Sequence, residues 1–80
     1  MKVILRSTFP IATEQAIESN EDLMMDMEKY GYEKSICIWK SESFINETTA
    51  LSLAKLLRNV LEKSGLLVGD GVEIALEMTK

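Results

Sequence analysis

The side chains in this sequence that could carry chemistry are a crowd of carboxylates and a single thiol. No histidine occurs among the 80 residues. That removes the side chain most often used as a general base near neutral pH, and with it Ser-His and Cys-His nucleophile pairs. It also removes the commonest zinc and iron ligand, and the lone Cys37 cannot replace it. A reactive thiol needs an electropositive setting, which Lys34 and Lys40 do not by themselves provide around Cys37.

The carboxylates are concentrated. Residues 14–28 hold six acids and no base, whereas the rest of the chain holds seven acids and nine bases. Glu18 and Asp22, or Asp22 and Asp26, stand four apart and share a helical face, which is the spacing a divalent cation would need. The segment nevertheless lacks the alternating ligands and mid-loop glycine of a calcium loop. A solvated acidic helix face is the simpler account, and no metal site is expected. "GDG" at residues 69–71 precedes a strand rather than a helix and lacks the following Lys-Ser, so it reads as a turn and not a phosphate cradle. No catalytic, cofactor-binding or metal-binding residue is assigned. The expectation is a non-enzymatic protein that works without a cofactor.

These side chains are positioned by elements whose periodicity is legible. "KVILR" is a β-branched run closed by Ser7, Thr8 and Pro10, and predicts a first strand. Ala16, Ile17, Leu23, Met24, Met27 and Tyr30 then recur at threes and fours, with Gly31 as the stop. The spacing predicts a helix over residues 19–30 capped by Ser19 with Asp22, while residues 13–18 are either its first turns, with Thr13 as the cap of a longer helix, or an irregular lead-in. "KSICIWK" predicts a second strand, with Ile36 and Ile38 on one face and Cys37 and Trp39 on the other. "SESFI" predicts a loop. Asn46 is a good cap for a second helix carrying an apolar stripe from Ala50 to Leu61, and Gly65 ends it with Leu66 set against Leu61. "VEIALEM" predicts a third, alternating strand.

The order β-α-β-α-β has one economical packing. It is a single two-layer α/β domain over residues 1–80, with a three-stranded sheet and both helices on one face. Right-handed crossovers favour a parallel pair of neighbouring strands, and an antiparallel terminal strand would make the domain α+β. Val3, Leu5, Ile36, Ile38, Val72, Ile74, Leu76 and Met78 would face the helices. The open sheet face would carry Lys2, Ile4, Arg6, Cys37, Trp39, Glu73, Ala75 and Glu77.

That face suggests a role. Ile4, Cys37, Trp39 and Ala75 with Arg6 form an apolar spot in a charged frame, and a domain this small gains from having such a tryptophan covered. The expected function is therefore a protein-interaction module, with a homodimer or another protein on the open face. An alternative is an acidic inhibitor or mimic, of the kind a virus or mobile element encodes, that occupies a basic groove of a nucleic-acid-handling protein. Its surface would be Glu18, Glu21, Asp22, Asp26 and Glu28 around an outward Met25. A small-molecule regulatory domain is the third alternative, carried by the α/β shape alone. A net charge of −4 argues against direct binding to nucleic acid. No run approaches the roughly 20 apolar residues of a membrane span, and one cysteine implies no oxidising compartment, so a cytoplasmic location is expected.

Overall fold

The computed structural model describes residues 1–42 and 45–78. Among these the chain runs β1 (Lys2–Ser7), α1 (Pro10–Glu18), α2 (Glu21–Lys29), β2 (Tyr32–Lys34), β3 (Ile38–Ser41), α3 (Glu47–Lys63) and β4 (Val72–Glu77). The result is a small α+β domain in which three helices cover one face of a four-stranded antiparallel sheet, ordered β2-β3-β1-β4.

The best-specified element is α3. The Asn46 side chain accepts from the Thr49 N–H at 2.8 Å, and Ile45 and Ala50 are both buried at the staple positions. At the other end Gly65 takes a φ of 81°, the Leu66 N–H donates to the Leu61 carbonyl and the Gly65 N–H to that of Glu62. This pair of bonds is a Schellman ending, and it needs the left-handed conformation that glycine adopts freely.

Three expectations are corrected here. The segment over residues 10–30 is two helices, not one. The break falls at Ser19 and Asn20, and Asn20, not Ser19, caps α2 by accepting from the Leu23 N–H at 3.0 Å. "KSICIWK" is not one strand either: its ends belong to β2 and β3, and residues 35–37 turn between them, closed by a 2.7 Å bond from the Ser35 N–H to the Ile38 carbonyl. The hairpin explains the third difference. With β3 lying between β2 and β1, no neighbouring strands are parallel. The crossovers still join strands of like direction, β1 with β2 and β3 with β4, but one strand separates each pair. This β-α-β-β-α-β path is the split β-α-β, ferredoxin-like arrangement, with its first crossover broken into two helices. Of the expected loop at residues 41–45, Ser41 closes β3, while Ser43 and Phe44 lie outside the described residues.

The core sits between Val3, Leu5, Trp39 and Val72 on the sheet and Ile17, Leu23, Met27, Leu53, Leu57 and Leu61 on the helices. Three buried polar side chains are bonded: the hydroxyls of Ser7 and Thr13 meet at 2.7 Å, and Ser41 Oγ accepts from the Val3 N–H at 3.0 Å.

Trp39 overturns part of the expected layering. It is opposite Leu5 in the sheet register and only 3% exposed, so it faces the helices. Ile38, paired with Arg6, is turned to the open side, and Ile36 sits exposed in the hairpin turn. The cause is the shortness of β3. Once Ile36 and Cys37 are in the turn, Ile38 has no apolar neighbour two residues back, and Trp39 has the larger apolar area to bury. Val3, Leu5, Val72, Ile74 and Leu76 share the helical side as expected, while Met78 lies beyond β4 and is exposed.

Candidate functional site

The open face of the sheet is built by strict alternation. β1 contributes Lys2, Ile4 and Arg6; β3 contributes Ile38 and Lys40; β4 contributes Glu73, Ala75 and Glu77; the short β2 adds Glu33. Opposite charges stand across the strands. Arg6 Nη1 is 3.2 Å from Glu73 Oε1, Lys40 Nζ is 3.7 Å from Glu33 Oε2, and Lys2 is opposite Glu77 in register. The three bases and three acids cancel, so the negative charge of the chain lies elsewhere.

The centre of this face is apolar. Ile4 is buried among the long side chains around it, with Ala75 beside it in register; Ile38, 37% exposed, stands next to Arg6. Two shallow depressions flank the Arg6 and Ile38 pair. One of about 330 Å³ is lined by Lys2, Ile4, Ser35 and Lys40, and one of about 560 Å³ reaches Thr8, Cys37 and Val68 at the end of the sheet. Of the residues expected here, Ile4, Arg6 and Ala75 come together, and Cys37 is exposed in the turn at the rim. Trp39 does not join them. Ile38 and Lys40 take its place. Had Trp39 been assigned inward, alternation alone would have found both.

The acidic segment is also rearranged, because its carboxylates are divided between two helices. Glu21 and Asp22 occupy the first turn of α2, where the positive end of the helix favours them. Met25 is exposed on α2, as expected, with Asp26 half-buried. Glu18 and Glu28 instead join Glu14 and Lys34 around a cleft of about 320 Å³ between α1, α2 and β2, which sequence reasoning missed. Ile17, Met24, Met27, Tyr32 and Trp39 also line it. Glu14 and Lys34 form an ion pair at its rim, and Lys34 Nζ lies 5.9 Å from the centre of the Trp39 ring. The Tyr32 hydroxyl oxygen is buried and finds no hydrogen-bond partner among the described residues, and burial pushes its phenol above the ordinary value near 10. Neither Glu18 nor Glu28 is in an ion pair among the described residues.

Among the described residues no three carboxylate or thiol side chains converge as metal ligands, and no helix is long and apolar enough to cross a membrane. Comparison of the chain with protein-family models, with curated proteins and with solved structures finds no match.

Proposed function

We propose that this chain is a non-enzymatic protein-interaction module that associates with a second copy of itself through the open sheet face. The observation carrying the proposal is the charge balance of that face around an apolar centre. Lys2, Arg6 and Lys40 are matched by Glu33, Glu73 and Glu77, with Ile38 and Ala75 between them. On a chain of net charge −4, two copies meeting there bring no surplus like charge together and keep their acidic sides apart. The pairing is isologous, so the Ile38 ridge of one copy meets a depression beside the same ridge in the other. The work is assigned to the cytoplasm, where a lone exposed cysteine stays reduced.

The test is the solution mass as a function of concentration, measured by sedimentation equilibrium for wild type and Ile38→Lys. Wild type should approach twice 9.0 kDa, and Ile38→Lys should remain monomeric with an unchanged melting curve. A wild-type chain that stays monomeric at millimolar concentration would sink the proposal.

The acidic-mimic function is a second proposal, favoured by Glu18 and Glu28 on the helical side, which are in no ion pair among the described residues. It would be supported by salt-sensitive capture of a basic nucleic-acid-binding protein, lost in Glu21→Gln/Asp22→Asn.

A further inference from the structure

The cleft on the helical side combines four features that the sheet-face proposal does not use. Its wall is apolar and includes two methionines, Met24 and Met27, whose flexible thioethers adapt to a guest. Its rim is negative: three carboxylates, Glu14, Glu18 and Glu28, stand against one ammonium, Lys34, which Glu14 already neutralises. Tyr32 brings a buried hydroxyl that has no partner among the described residues. The fourth feature is the sheet edge alongside. In the hairpin, Gly31 and Ser35 bond across to Glu42 and Ile38, so the alternation leaves the backbone N–H and C=O of Tyr32 and Lys34 turned to the outer edge of β2. Tyr32 and Lys34 are also the two β2 residues that line the cleft.

We infer that β2 and this cleft receive an extended segment of a partner protein, which adds as a strand to β2 and places a bulky apolar side chain, flanked by basic residues, in the cleft. Successive side chains of a strand alternate, so a basic–x–apolar–x–basic sequence presents its two cations and its apolar group on the same face. The apolar group meets Ile17, Met24, Met27 and Trp39, the cations meet Glu18 and Glu28, and the Tyr32 hydroxyl gains a polar neighbour. A free amine would satisfy the acidic rim but leave the β2 edge unpaired, which is why the occupant is a peptide segment. The site lies on the other side of the sheet from the proposed self-association, so the two proposals stand or fall separately.

The probe is the capped peptide acetyl-Lys-Thr-Phe-Thr-Lys-amide, titrated into the full chain while the fluorescence of Trp39, the only tryptophan, is followed. Comparison ligands are the same peptide with glutamates in place of both lysines, and 2-phenylethylamine. The expected result is a saturable change with the basic peptide alone. Added salt should weaken it, and Glu18→Gln and Glu28→Gln should each weaken it about threefold, the size of a rim charge contact. Both carboxylates are exposed, so these variants should melt like wild type. Ile38→Lys should bind the peptide unchanged, which separates this site from the sheet face. The inference is overturned if the acidic peptide binds equally well, if 2-phenylethylamine binds as tightly as the peptide, or if no saturable change occurs up to millimolar peptide.

Discussion

The sheet face and the helical side of this molecule differ in how they treat charge. On the sheet face every ionised side chain stands opposite its counter-charge in an adjacent strand, as Arg6 with Glu73 and Lys40 with Glu33 do. On the helical side the carboxylates of α1 and α2 outnumber their partners, and among the described residues the ion pair of Glu14 with Lys34 accounts for only one of them. The pleat of a sheet fixes which residues oppose one another, so charge can be matched residue by residue. A helix surface facing water has no such constraint and accumulates a field instead. A neutral, apolar-centred face suits a like partner; an acidic cleft suits an unlike, basic one.

That contrast can be broken most forcibly from the inside. Leu57→Asp should unfold the domain, because its site is fully buried and an unpaired charge there costs several kcal/mol against a small total stability. Ile38→Asp, on the open face, should remain folded; circular dichroism melts of the two variants distinguish an interior position from a surface one. Next in size is Trp39→Ala, which should cost about 3–5 kcal/mol, whereas Ile38→Ala should cost less than about 1 kcal/mol, since Ile38 is 37% exposed. Urea midpoints would read both, and equal losses would mean that β3 faces the other way.

Tyr32→Phe should change stability at neutral pH by no more than about 1 kcal/mol in either direction, because the hydroxyl it removes has no partner among the described residues to lose. Its signature is alkaline. Burial raises the folded-state pKa of Tyr32, so the folded chain holds its proton after the unfolded chain has begun to release it. Stability therefore falls as the pH climbs above the ordinary tyrosine value near 10, and Tyr32→Phe should flatten that slope in a series of melts. The smallest folding effect belongs to Arg6→Glu, under about 1 kcal/mol for an exposed pair. Its consequence for association should be larger, since it places two acids side by side on the face. Adding Glu73→Arg should restore the matched pair, and with it the mass.

Much of this molecule was legible in its sequence because local signals agreed with one another. α3 announced itself through Asn46 at one end, Gly65 at the other and an apolar stripe between them, and every one of those features is used. Ile4, Arg6 and Ala75 were found on one face because β1 and β4 are each six residues long, enough for alternation to be unambiguous. The hairpin was hidden for the opposite reason. Its turn uses Ile36 and Cys37, residues that suit strands, and neither takes the positive φ that would have demanded glycine or asparagine. Without a turn signal, alternation through residues 34–40 puts β3 on the wrong face and Trp39 outside. The cleft was illegible for a different reason: it joins residues from α1, α2, β2 and β3, and depends on the break at Ser19 and Asn20 that lets the two helices diverge.

The central claim, that the sheet face is where two copies meet, is tested most directly by amide chemical shifts across a dilution series. The amides of Ile4, Arg6, Ile38, Lys40 and Ala75 should move together with a single association constant, while those of α1 and α2 stay fixed. Shifts that do not depend on concentration, or that concentrate at Ile17, Met24 and Tyr32 instead, would contradict it.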